Sequence, residues 1–293
     1  GTTSYSYGYS AYACEDVQLV DESAELCTYT MSCEPWSCCG YGRPYLDAGG
    51  QAVASGTTEG PEWSTEVDAP GIDALTDAER AAIRDFWLKN AAAEHSSVAG
   101  FHRFALDLLA HGAPPELVRR AGEGAAQEIT HSIDCFSLAS RYAGRRMAPQ
   151  PLPLGEGAPV ARSLAELAAW TVRDGIVGET LAAYLAAEAL EQATDPEVRR
   201  TLEVVVRDET AHAELAWQTV LWAIDVGGRE VRDAVVAVFN TVSYPRTAPG
   251  LDTPATRAHG LLSAAQSDAA ARRCIDEVLR PVMASVLARG LAA

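Results

Sequence analysis

The sequence predicts an all-α protein: a four-helix bundle with a long crossover, an irregular Cys-rich N-terminal arm and extra C-terminal helices. Three observations carry this reading. Helical apolar periodicity begins at Thr76 and continues almost to the end of the chain. The stretch from Gly144 to Arg162 holds four prolines and three glycines, too many breakers for a helix, and splits four long helical stretches into two pairs. Finally, Glu-x-x-His occurs twice, as Glu128-Ile129-Thr130-His131 and Glu209-Thr210-Ala211-His212. Each copy follows a helix that carries a lone glutamate, Glu94 or Glu179, on an apolar face.

In chain order, residues 1–75 read as the irregular arm and a linker, with 47–71 rich in Gly, Ala, Ser, Thr and Pro. Ser4–Tyr9 alternates small and aromatic residues, as a short strand, a docking strip or a flexible tail would. The bundle is expected over 76–226. Thr76 and Glu79 form a capping box that opens a helix running to about Ala110. Pro114-Pro115 opens a second helix, which reaches about Tyr142 before Gly144. Beyond the crossover, Ser163 with Glu166 makes another capping box, and that helix extends to about Gln192. Asp195 as N-cap with Pro196 at the first helical position starts the fourth, which ends at Gly227-Gly228. A C-terminal extension, 227–293, adds helices near 229–241 and 254–290.

The formal charge of −17 is concentrated in the arm, where Arg43 is the single basic residue among the first 75. Such an acidic, Lys-poor chain argues against nucleic acid and against anionic lipid as partners. No stretch is long and apolar enough for a transmembrane segment. Five of seven cysteines, Cys14, Cys27, Cys33, Cys38 and Cys39, fall in the first forty residues, a density that points to disulfides and export. Zinc is the rival reading, but there is no Cys-x-x-Cys and no histidine before His95. Five is odd, so one cysteine stays free, pairs with Cys135 or Cys274, or bridges to another chain. The chain opens Gly-Thr-Thr, and no signal peptide is visible in it.

Steps of three and four residues from Glu94, Glu128, Glu179 and Glu209 meet almost only apolar residues, such as Trp87 and Phe101 around Glu94. Four carboxylates converging in one core are prohibitive as bare anions, and no basic side chain lies on these stripes to pair with them. Two divalent ions would neutralise them. The i, i+3 spacing sets each histidine beside its glutamate, so that two imidazoles complete the donor set. Oxygen and nitrogen donors suit two iron ions, with manganese as the alternative. Cys135, one turn past His131, reads as a small core residue, His95 as a rim or surface residue, and Tyr184 as a core or rim tyrosine. Gly124, Gly175 and Gly178 near the ligands open space for dioxygen or substrate, or serve close helix packing.

This arrangement resembles the ferritin-like di-iron carboxylate superfamily over about residues 76–226. The resemblance implies that Glu128 and Glu209 bridge the metals, that Glu94 and Glu179 are terminal carboxylates, and that His131 and His212 bind one metal each. Asp208 completes Asp-Glu-x-x-His and would receive the outer N–H of a metal-bound histidine. Ala211 stands where Arg is common, which removes the salt bridge usual there. Cys39–Leu46 and Ala93–Ala99 look like a group of exported bacterial ferritin-like domain proteins, implying a periplasmic, surface or secreted location. Three functions follow as expectations: an oxidase or oxygenase that activates dioxygen, a ferroxidase or iron-handling protein acting on Fe(II), and a structural or assembly subunit with a stabilising metal site. The arm, with its tyrosines and odd cysteine, offers a route to a homo-oligomer.

Overall fold

The computed structural model describes residues 12–22, 27–35, 42–47, 50–66, 71–155, 160–244 and 246–289; for 12–22, 27–35 and 288–289 it describes the backbone alone. The chain divides into two units, 1–38 and 39–293. In the first, strands β1 (Tyr12–Glu22) and β2 (Cys27–Pro35) pair antiparallel, with Cys14 opposite Cys33 and two register shifts along the ladder. The part of the arm read as irregular thus contains a two-stranded ribbon, in keeping with its Tyr, Thr and Val content. Ser4–Tyr9, Cys38 and Cys39 lie outside the described residues, as do the side chains of Cys14, Cys27 and Cys33.

The second unit is the helical body. Helix α1 (Asp77–Ala110) is opened by the expected capping box: Thr76 Oγ1 accepts from the Glu79 N–H, and the Glu79 carboxylate accepts from the Thr76 N–H. Helix α2 (Pro115–Ala143) ends at Gly144 in the left-handed conformation, φ 66°. Helix α3 (Leu164–Trp170) is capped by Ser163, but Glu166 does not return to the Ser163 backbone. Its carboxylate accepts from the Arg162 N–H and guanidinium instead, so this capping box is half formed. The expected continuous third helix is interrupted by a π-helical segment, Thr171–Glu179, before α4 (Thr180–Gln192) resumes.

Helix α5 (Pro196–Phe239) starts at Asp195, which accepts from the Glu197 and Val198 N–H groups and also takes a bidentate ion pair from Arg141. The predicted stop at Gly227-Gly228 is a kink inside α5, with Gly228 at φ 58°. Shorter helices α6 (Pro254–Ala258), α7 (Ala264–Arg273) and α8 (Arg280–Arg289) follow, α7 and α8 joined by a second π-helical segment, Cys274–Leu279. Among the described residues, no helix is long and apolar enough to cross a membrane.

Helices α1 and α2 pack along each other, the α3–π–α4 rod packs along α5, and α2 meets α5. Apolar layers fill the two ends of the bundle. One contains Ile83, Trp87, Leu138, Ala189 and Val198; the other contains Phe101, Phe104, Leu117, Leu167 and Leu215. In each long rod the glutamate lies between residues of different apolar layers, so the carboxylates form a polar stratum across the middle. The C-terminal helices cover a third cluster, with Ile275, Leu279 and Met283 against Val172, Ile176 and Val220.

The described residues of 42–66, which span the end of the arm and most of the 47–71 stretch read as a linker, lie against the bundle. The Tyr45 N–H donates to Ser96 Oγ on α1, which in turn donates to the Val53 carbonyl. Strand β3 (Thr57–Glu59) pairs antiparallel with β4 (Met147–Pro149) from the crossover. The Thr65 N–H reaches Ser137 Oγ on α2 at 2.9 Å. Side-chain hydroxyls on the helices thus replace backbone periodicity as the means of holding this strap.

Candidate metal centre

The helical rods bring Glu94, Glu128, His131, Glu179, Glu209 and His212 into one buried stratum, five of them at most 2% exposed and Glu94 at 9%. Their donor atoms fall into two groups, each within 4.8 Å: Glu94, Glu128, His131 and Glu209 in one, Glu179, Glu209 and His212 in the other. Glu128 turns Oε2 toward His131 Nδ1 (3.8 Å) and Oε1 toward His212 Nδ1 (3.2 Å). Glu209 does likewise, Oε1 at 3.5 Å from His131 Nδ1 and Oε2 at 3.6 Å from His212 Nδ1. Both inner glutamates therefore span the two imidazoles, whose ring centres are 6.1 Å apart. Glu94 lies on the His131 side, with Oε2 3.9 Å from Nδ1.

Each imidazole is held from behind by the residue that precedes the glutamate of the opposite motif. His131 Nε2 contacts Asp208 Oδ2 at 3.1 Å, and His212 Nε2 contacts Gln127 Oε1 at 2.9 Å. Gln127 also donates to Asp208 Oδ1 at 3.1 Å, joining the two supports. Asp208 is fixed further by Arg207, its neighbour in sequence, so the cation missing at Ala211 is supplied four positions earlier. These contacts turn both Nδ1 atoms toward the carboxylates. Asp208→Ala should weaken metal binding on the His131 side about 10- to 100-fold, as loss of such supports does elsewhere; competition with a chelator measures it.

The electrostatics follow from burial. Burial and the Glu128 and Glu209 charges push the Glu94 carboxyl well above the carboxylate range; burial and Glu209 do the same to Glu179. Burial raises Glu128 and Glu209 too, but their polar contacts, chiefly with the two imidazoles for Glu128 and with Glu179 and both imidazoles for Glu209, hold both low. Burial opposes a charged imidazole, yet Asp208, Glu128 and Glu209 raise His131 well above its ordinary value. His212 is pushed up to about 9 by Glu128 and Glu209, again against burial.

A basic side chain does reach the site, contrary to the reading of the helical stripes alone, and it comes from the strap. Arg43 is 4% exposed, with Nε 3.6 Å from Glu179 Oε1 and its guanidinium 3.9 Å from the Phe104 ring centre. Its neighbour Gly42 has φ 131°, a conformation suited to glycine, and a Cβ there would stand 3.5 Å from Glu179 Oε2. The signal was in the sequence: Arg43 is the arm's single basic residue, set within Gly-Tyr-Gly-Arg-Pro-Tyr. Gln127 was equally visible, as the counterpart of Asp208 in the first motif.

The other candidates have structural surroundings. Cys135 is buried in an apolar layer, and burial raises its thiol pKa, keeping it neutral. Tyr184 packs against the cluster under the C-terminal helices. His95 is half-buried with its ring edge-on to Trp63 at 4.8 Å, and the two line a cavity of about 830 Å³ on the outer side of α1. The nearby glycines serve close packing: a Cβ on Gly124 would strike the Phe101 ring, one on Gly175 would strike Arg43 and Ala216, and one on Gly178 would strike the Gly42 carbonyl.

A mostly helical fold with two buried Glu/His clusters is consistent with the ferritin-like di-iron superfamily. Comparison with models of known protein families gives no match, and comparison with curated protein sequences gives none either.

Proposed function

We propose that this chain is a dimetal carboxylate protein of the ferritin-like type, holding two iron ions and activating dioxygen as an oxidase or oxygenase. One observation carries the reading. Both oxygens of Glu128, both of Glu179, Glu209 Oε2, and Nδ1 of His131 and His212 are buried and have no hydrogen-bond partner among the described residues. Orphaned buried acceptors are costly, and seven converging on one stratum call for cations. Glu128 and Glu209 would lie between the metals. Glu94 with His131 would complete one coordination set, and Glu179 with His212 the other. The donors are oxygen and nitrogen, and the nearby thiol of Cys135 is kept neutral, which favours iron, with manganese second.

An iron pair held there would supply the electrons that reduce dioxygen. The chain's own contribution is orientation and exclusion. Asp208 and Gln127 aim the imidazoles, while the apolar layers on either side keep bulk water from the carboxylates. A second reading, iron handling with Fe(II) as substrate, draws support from Glu94. Its side chain is 12% exposed where the other carboxylates are 0–1%, so the first group has a face toward solvent. A stabilising metal in a structural or assembly subunit is the third reading. Export, disulfides in the arm and a homo-oligomer formed through it belong to the same proposal, with the placement of Cys14 opposite Cys33 in the backbone register supporting one pairing.

Anaerobic loading with Fe(II), followed by air, tests the proposal. Two irons per chain and a single rapid oxidation are expected. Continued oxidation with a growing mineral would move the function to iron handling, and absence of bound metal would overturn both.

A further inference from the structure

We propose that Arg43 is a built-in cation of the metal centre that makes its two halves unequal, so that metal enters the Glu94–Glu128–His131–Glu209 group first and the Glu179–Glu209–His212 group second. This rests on the dimetal reading and adds an order of loading to it.

The two groups differ in charge. Glu128 and Glu209 reach toward both imidazoles, but Glu179 on the second side already faces a guanidinium, whereas among the described residues no arginine is paired with Glu94 on the first. Arg43 Nε and Nη2 are buried and have no hydrogen-bond partner among the described residues. The other carboxylates nearby are engaged: Asp107 with Arg103 and the Ala161 N–H, Asp174 with Arg173. Glu179 is therefore the carboxyl group that Arg43 chiefly faces, and it is also a donor of the second group.

Arg43 has no easy way to withdraw. Its guanidinium lies over Phe104 and Phe101, and its backbone carbonyl sits against Gly100 so closely that a Cβ there would collide with it. Nη2 occupies the space a side chain on residue 175 would fill. An incoming cation must share Glu179 with a fixed positive charge.

Charge balance gives the same order. Two divalent ions alone would neutralise the four glutamates; with Arg43 present, the filled site carries one positive charge in excess. Asp208 does not offset it, because Arg207 pairs with Asp208. One divalent ion leaves the set with one net negative charge, so the first metal is held firmly. The second is repelled by Arg43 and by the first metal together, and requires a small anion such as hydroxide to balance it.

The test is anaerobic titration of the full chain with Mn(II), a probe that does not oxidise under these conditions, against a competing chelator. The wild type is expected to bind in two steps, the second at least tenfold weaker. Arg43→Gln should tighten the second step by at least tenfold and change the first by less than about threefold, whereas Arg43→Lys should preserve the gap. In the otherwise unchanged chain, Glu179→Gln should remove the weak step and leave the tight one, so the assignment stands on a second variant if Arg43→Gln fails to fold. Two equal steps in the wild type, or loss of the second step in a folded Arg43→Gln protein, would overturn the role of Arg43 while leaving the dimetal site intact. No Mn(II) or Fe(II) binding at all would overturn the site itself.

Discussion

Replacing Glu128 and Glu209 together by alanine is expected to reduce bound metal from two ions per chain to none. Each inner glutamate directs one oxygen at each imidazole, so the pair contributes to both halves of the site. Without them each half keeps one carboxylate and one imidazole, too few donors to hold a divalent ion against water. The wild type should gain stability on loading: saturation at 1,000 times the dissociation constant contributes about 4 kcal/mol per site. In a domain of this size that amounts to roughly 15 °C in Tm for two sites, and the double variant should show no such response. Loading should also weaken as pH falls. Without a cation, His131, His212, Glu94 and Glu179 hold their protons to higher pH than such groups ordinarily do, so protons compete with a metal for those donors. Elemental analysis and thermal scans at two pH values, with and without Fe(II) under argon, read all three effects.

The four ligand-bearing rods were legible because one periodicity encodes two facts. Apolar residues at steps of three and four define the buried face, and a glutamate on that face has to be explained by chemistry. Capping residues located the starts of α1 and α5 for the same reason: Thr76 and Asp195 satisfy backbone donors that the helix itself leaves open. The π-helical segment that ends at Glu179 was not legible. Its buried positions, Leu167 and Ala168, Thr171 and Val172, Gly175 and Ile176, repeat every four residues, a drift from the α-helical repeat too small to read over so short a stretch. In the folded chain that segment holds Gly175 and Gly178, which pack against Arg43 and the Gly42 carbonyl, contacts that exist only once the strap is in place. The strap was missed on similar grounds. Residues 42–66 carry no periodicity, because they are held by single hydroxyls, one short ladder and isolated buried residues such as Tyr45 and Leu46 rather than by a continuous buried face. A pattern that lists basic residues on helices cannot register an arginine delivered from such a segment.

Gly100→Ala should therefore cost far more than a single methyl group suggests. On an exposed helix position this change is favourable by about 1 kcal/mol, and Gly122, whose Cβ would meet nothing within 4 Å, supplies that control within α2. At Gly100 the added Cβ would strike the Arg43 carbonyl and come within 3.2 Å of the Pro44 carbonyl carbon, backbone atoms that cannot rotate away. Either α1 shifts, disturbing Glu94 and Ser97 on the turns before it, or the strap lifts from the bundle. Lifting is the less costly route: it gives up the Ser96 and Ser137 hydrogen bonds, the β3–β4 ladder and the burial of Arg43, Tyr45 and Leu46, whereas a shift of α1 disturbs both apolar layers of the bundle. Overpacking of this kind costs about 1–3 kcal/mol, so Tm should fall by roughly 5 °C while Gly122→Ala raises it slightly. Proteolysis should then cut within 42–66 in Gly100→Ala and spare the control. The metal titration separates the two routes. A lifted strap carries Arg43 away from Glu179 and tightens the second Mn(II) step, as Arg43→Gln does, whereas a displaced α1 moves Glu94 and weakens the first.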